Sequence, residues 1–184
     1  MKRTIKLALV LFTLIFAYST SAQAQDFKVG AGLAFGSGVG YSGDLDNDLG
    51  LRVDGYYGIT PEIRIGGDFT FYLPKSVEQT TFGGTTIETT STVWELNLNG
   101  HYIFYDEDNL SIYGLGGINI TGLSTESEGG GSSQSNSNSE AGLNLGGGLD
   151  YGMDFGTIFG EVKLGNLGGD ADQFVIGAGL RFGL

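Results

Sequence analysis

Four features of this chain could do chemistry: an Asp-x-Asp-x-Asp run, several glycine runs, a single histidine, and charged residues set at alternate positions. Asp44-x-Asp46-x-Asp48 has the opening spacing of a calcium loop. Leu49 stands where that loop needs glycine, however, and Gly55 where it needs its closing glutamate. A solvated acidic loop is the default reading there. Gly30-x-Gly32 and Gly146-Gly147-Gly148 lie inside alternating segments with no helix after them, so they do not form phosphate cradles. His101 has no nucleophile at a spacing that builds a nucleophile–base pair, and a structural hydrogen bond near Glu95 or Asn99 is its expected role. No catalytic residue, metal site or cofactor is expected.

The alternating charges carry the stronger signal. Lys28, Arg52, Arg64, Lys163 and Arg181 oppose Asp54, Asp68, Glu95, Asp150 and Glu161, each flanked by apolar residues in period-two runs. Period two marks a β-strand with one greasy face. The last run, Gln173 to Leu184, sets Phe174, Ile176, Ala178, Leu180, Phe182 and Leu184 on one face. Gln173, Val175, Gly177, Gly179, Arg181 and Gly183 make the other. Seven further runs precede it, at 27–36, 49–59, 63–73, 92–104, 110–123, 141–152 and 157–165. In 110–123, Tyr113 and Leu115 suggest one phase and Ile118 and Ile120 the other; a β-bulge near Gly116-Gly117 would reconcile them. Five cations against five acids balance, as a buried polar interior requires, because unpaired buried charge is costly. Glycines on the same face of the first, sixth and eighth strands leave room for long Arg and Lys side chains.

The N-terminus has the form of an export signal. Lys2, Arg3 and Lys6 precede the apolar run Leu7–Ala17, and Ala22-Gln23-Ala24 is a small-x-small cleavage site. The expected division is therefore a cleaved signal at 1–24 and a single mature domain at 25–184. Eleven apolar residues are too few for a spanning helix, which needs about 20. An exported chain without such a helix is either soluble or a closed barrel in the outer membrane. There is no cysteine, so there is no disulfide framework. With three of the nine Lys and Arg in the signal, six remain against 21 acids, a mature charge near −15. The excess falls in the long connections, at Asp44, Asp46, Asp48, Glu78, Glu88, Glu126, Glu128, Glu140, Asp170 and Asp172 against Lys75. Such a surface disfavours nucleic acids and other polyanions.

The connections sort by length. Thr60–Glu62, Tyr105–Asn109 and Met153–Gly156 are short; Ser37–Asp48, the Thr-rich stretch after Pro74 to about Ser91, Ser124–Glu140 and Asn166–Asp172 are longer. Short turns at one end and long loops at the other are the pattern of transmembrane barrels. Ser124–Glu140 is low-complexity and expected to be a mobile loop. Outward aromatics stand eight residues apart as Phe27/Phe35, Trp94/Tyr102 and Phe174/Phe182. That spacing rises roughly 20 Å on a tilted strand, close to the ~25 Å band between membrane-interface girdles.

The ending Gly179-Leu180-Arg181-Phe182-Gly183-Leu184 resembles the C-terminal assembly signal of bacterial outer-membrane barrels, with Gly179, Phe182 and Leu184 as its marks. The mature chain as a whole is similar to the small outer-membrane β-barrel family of OmpA and OmpX type. The resemblance implies an all-β, eight-stranded, antiparallel up-and-down transmembrane barrel in the outer membrane. It further implies a surround of outer-membrane lipid, insertion by the barrel-assembly machinery and a monomer, while the acidic loop surface points to no nucleic-acid partner. In some barrels of this size a histidine beside a serine near the outer leaflet performs acyl chemistry, whereas His101 lies near the opposite end, so no enzyme is expected. The expected role is structural or surface-interacting through acidic extracellular loops, with the extracellular partner unnamed. The alternatives are a narrow channel, and a soluble lipocalin-like binder with its greasy face turned inward.

Overall fold

The computed structural model describes residues 27–37, 49–80, 84–169 and 172–184. The expected signal at 1–24 and the acidic positions Asp44, Asp46, Asp48 and Asp170 lie outside them. Nine strands form among the described residues: β1 (Phe27–Ser37), β2 (Leu49–Gly58), β3 (Ile63–Tyr72), β4 (Lys75–Thr80), β5 (Thr86–Glu107), β6 (Leu110–Gly129), β7 (Ser132–Met153), β8 (Gly156–Leu167) and β9 (Gln173–Gly183). All pair antiparallel in one sheet, chain neighbour with chain neighbour except at β3 and β4, and β1 closes on β9 from Lys28↔Gly183 to Ser37↔Phe174. β3 and β4 lie end to end against β5, as Ile63↔Tyr102 to Phe71↔Trp94 and then Lys75↔Ser91 to Thr80↔Thr86. Nine strands therefore make eight staves of a closed ring, which leaves the barrel wall without an edge.

The alternation decides what faces where. Leu51, Val53, Leu96, Leu98, Leu143, Leu145, Val162 and Ile176 are exposed on the outside, while Arg52, Asp54, Glu95, Asn97, Asn144, Glu161, Lys163 and Val175 are buried inside. This is a globular protein turned inside out, with a greasy belt outward and a polar interior.

Three sequence expectations are corrected. The Ser124–Glu140 segment is not a mobile loop: β6 and β7 pair without a break from Leu110↔Tyr151 to Gly129↔Ser132. Gly130 and Gly131, both left-handed at φ 60° and 82°, make the two-residue turn that joins them. Ladder pairing needs only backbone groups, so a polar Ser/Asn sequence extends strands already anchored in the barrel. The Thr-rich stretch after Pro74 is likewise β4 and the start of β5, which raises four strands, β4 to β7, beyond the other staves. There is also no bulge at Gly116-Gly117. The β6 register runs through those residues unbroken, and Tyr113 and Leu115 simply turn inward while Ile118 and Ile120 turn out. The irregularities fall elsewhere, between Ile103 and Tyr105 of β5, and where β8 crowds Gly165 and Asn166 opposite Asn144. Asn166, at φ 56°, absorbs the second.

Candidate functional site: the filled lumen and the raised sheet

Of the ten charged residues expected in the lumen, nine are buried there. Lys28, at the start of β1, is half-buried. The buried charges form one connected network. Arg52 reaches Glu161 at 2.7 Å, Asp68 at 3.4 Å and Asp54 at 3.5 Å. Arg181 reaches Asp150 at 2.7 Å, Asp54 at 3.0 Å and Glu161 at 3.7 Å. Arg64 donates to Asp150 at 2.6 Å, and Lys163 lies 3.4 Å from Glu95 and 3.7 Å from Asp68. Most of the acids are thus shared between two cations, so the charge compensation is collective and no single pair is isolated.

Neutral groups complete the filling, and sequence reading missed several of them. Tyr113 donates to Glu161 at 3.2 Å, while Tyr72 and Gln173 donate to Glu95 at 2.7 Å and 2.6 Å. Asn97 donates to Asp68 at 2.8 Å; Asn119 and Asn144 donate to the Asn97 oxygen at 2.7 Å and 2.8 Å. The guanidinium of Arg181 lies 3.9 Å from the Phe159 ring centre, and that of Arg64 lies 4.3 Å from Tyr113. His101 partners neither Glu95 nor Asn99. Its Nδ1 accepts from Arg64 Nε at 3.0 Å, and its ring packs 4.5 Å from both Tyr56 and Tyr113. Tyr56, Tyr113 and Phe159 gave no distinct sequence signal, because an aromatic residue in a barrel strand fits either face. For Tyr56 and Phe159, phase relative to Arg52 and Glu161 on the same strands was the available clue.

Glycines admit these side chains. A methyl group on Gly30 would stand 2.7 Å from Arg181 Cγ, and one on Gly177 3.0 Å from Arg52 Nη1. Toward the long-loop end, Tyr72 and Val93 with Leu123 form an apolar layer above Glu95. The lumen is filled by side chains along this length.

The six expected girdle aromatics all lie on the outside. Phe35, Tyr102, Phe174 and Phe182 are exposed; Phe27 and Trp94 are half-buried. Trp94 lies over Gly122 and stacks on Phe69 at 6.3 Å between ring centres. Gly179 faces inward against β1 and Phe159, while Phe182 and Leu184 face outward at the end of β9.

Above the barrel, the outer face of the raised sheet is acidic. Glu78 stands directly opposite Glu88, Glu88 opposite Glu128, and Glu126 opposite Thr90. On β7 the same face shows only serines, with Ser133 opposite Glu128 and Ser135 opposite Glu126.

A closed eight-stave ring, polar within and apolar without, is the architecture of outer-membrane barrels. The chain matches the outer membrane protein beta-barrel domain over residues 8–182 and belongs to that family. It is an outer-membrane protein. Among solved structures it is similar to a major outer membrane protein from Thermus thermophilus, at 15% identity and TM-score 0.61 over 87% of this chain and 100% of that one. It is similar to Neisserial surface protein A at 17% identity and TM-score 0.56, over 90% and 100% of the two chains. It is also similar to Ail, the attachment invasion locus protein of Yersinia pestis, at 20% identity and TM-score 0.55, over 86% and 97%. These likenesses are of fold. No curated protein matches the chain.

Proposed function

We propose that this protein is a surface-interaction barrel, a filled anchor that holds an acidic four-stranded sheet at the cell surface. The observation that carries this reading is the contrast between the two halves of the molecule. The lumen is packed with ion pairs and rings, whereas β4 to β7 continue well beyond the staves around them. A narrow channel would need the Arg52, Arg64, Arg181, Tyr113 and Phe159 side chains to vacate the interior, and their mutual contacts oppose that.

In this reading the apolar belt sits in outer-membrane lipid. Phe35, Trp94 and Phe174 mark its upper rim, and Phe27, Tyr102 and Phe182 its lower rim. The short turns and both strand ends, β1 and β9, face the periplasm, and the raised sheet is extracellular. Gly179, Phe182 and Leu184 serve recognition by the assembly machinery, and the barrel acts as a monomer.

The test compares cells displaying the whole protein with cells displaying a variant whose β4–β5 and β6–β7 hairpins are cut back to the barrel rim. Both should migrate faster unheated than boiled in SDS, as folded barrels do. Adherence to other cells and to protein-coated surfaces should fall with the shortened sheet. Equal adherence by the two would overturn the proposal.

A further inference from the structure

The upper part of β7 is a strand with one side unused. From Ser132 to Gly142 it pairs with β6, but β8 reaches only to Leu143↔Leu167, and no strand among the described residues pairs with the other side of Ser132–Ser139. An open edge offers a row of unpaired N–H and C=O groups to any extended chain. Edges are ordinarily guarded by shortness, proline or charge. The other rim strand, β4, is six residues long and carries Lys75 and Glu78. Ser132–Ser139 reads Ser-Ser-Gln-Ser-Asn-Ser-Asn-Ser, with no proline and no charge. It is the least guarded edge in the molecule's described residues.

Resting on the surface-interaction reading above, we propose that this edge takes up an extended, basic peptide segment as an added strand of the raised sheet. The backbone supplies the pairing, and the neighbouring side chains select the charge. On the outer face, Glu128 and Glu126 stand one strand behind Ser133 and Ser135. An added strand would lie two strand spacings from them, roughly 9.6 Å. Serine is short enough to be crossed, so a Lys or Arg opposite Ser133 or Ser135 leans over it and meets the glutamate beyond. Behind those two, Glu88 and Glu78 continue the acidic row directly opposite one another, an arrangement that destabilises a sheet until cations approach it. The selected segment therefore has basic residues at every second position and small or β-branched residues between them. A second copy of this chain does not fit, because its own edge brings the same flanking glutamates.

The experiment uses the full chain folded in phospholipid nanodiscs. The probe is a fluorescent nine-residue peptide alternating Lys and Thr. It is compared with the same peptide N-methylated at alternate backbone nitrogens, in both registers, and with a Glu/Thr version. The Lys/Thr peptide should bind and slow amide exchange across Ser132–Ser139. Methylation in the register that blocks the N–H groups facing β7 should abolish binding while the other register is tolerated, the Glu/Thr peptide should fail, and the exposed double variant Glu126→Gln/Glu128→Gln should bind the Lys/Thr peptide at least tenfold more weakly. Binding of both methylated peptides as tightly as the unmethylated one, unchanged binding by the double variant, or no binding by any peptide would overturn the proposal. If any of these occurs while adherence still depends on the raised sheet, only the partner assignment fails. If adherence is also independent of the sheet, the surface-interaction reading fails with it.

Discussion

Replacing Arg181 with methionine is the sharpest test of what holds the barrel together. The side chain is completely buried, and its guanidinium contacts Asp150 at 2.7 Å and Asp54 at 3.0 Å, with Phe159 beneath it. Methionine keeps much of the stem volume and removes the charge. Asp150 retains Arg64 at 2.6 Å, but Asp54 is left with Arg52 at 3.5 Å, so an under-compensated acid remains in the interior. Removing one partner from a buried ion pair costs about 3–5 kcal/mol. At about 4 kcal/mol the folding equilibrium shifts roughly a thousandfold, since about 1.4 kcal/mol is tenfold. The assay is urea unfolding in lipid vesicles, followed by heat-sensitive gel mobility and by fluorescence of Trp94, the single tryptophan. Adding Asp54→Asn to Arg181→Met should recover part of the loss, because it removes the acid that lost its partner. Lys163→Met should cost clearly less, since Lys163 Nζ makes its two ion pairs at 3.4 Å and 3.7 Å without a hydrogen bond. A loss below about 1 kcal/mol for Arg181→Met, or no recovery in the double variant, would refute direct charge contact as the source of stability.

Three further outcomes are expected. Leu98 lies midway between Trp94 and Tyr102 on β5 and is 59% exposed, so Leu98→Arg should destabilise the barrel in vesicles by about 2–4 kcal/mol. Tolerance of that change would argue against a lipid-facing belt. Gly30→Ala puts a methyl group 2.7 Å from Arg181 Cγ and 3.0 Å from the Leu180 carbonyl, and should cost about 1–3 kcal/mol in the same urea assay. In planar lipid bilayers the native protein should show no discrete openings, whereas Tyr113→Ala/Phe159→Ala, which empties two rings from the filled section, should pass ions; steady openings in the native protein would restore the channel reading.

Much of the barrel was legible because alternation is a local property. Gln173 to Leu184 declares its two faces without any knowledge of its partners, and the nine buried interior charges were found by that rule alone. The same rule failed where a residue type suits either face. Tyr113 and Leu115 are apolar enough for the outside, and only their register against His101 and Gly146–Gly148 turns them inward. Low complexity misled at Ser124–Glu140, although the glycine pair at 130–131 between two alternating polar runs was a usable hairpin signal.

By itself, the chain of amino acids determined the strand count around the ring, the outward belt and the inward charges. Each of these follows from the side-chain period of two and from turn chemistry within a few residues. Only the tertiary structure decided which charges meet, that His101 answers to Arg64, that Glu95 is held by Tyr72 and Gln173, and that one edge of β7 is left open. Those outcomes depend on the register between strands distant in the chain and on the closure of β1 against β9. Register and closure are properties of the whole ring, and no local stretch of sequence encodes them.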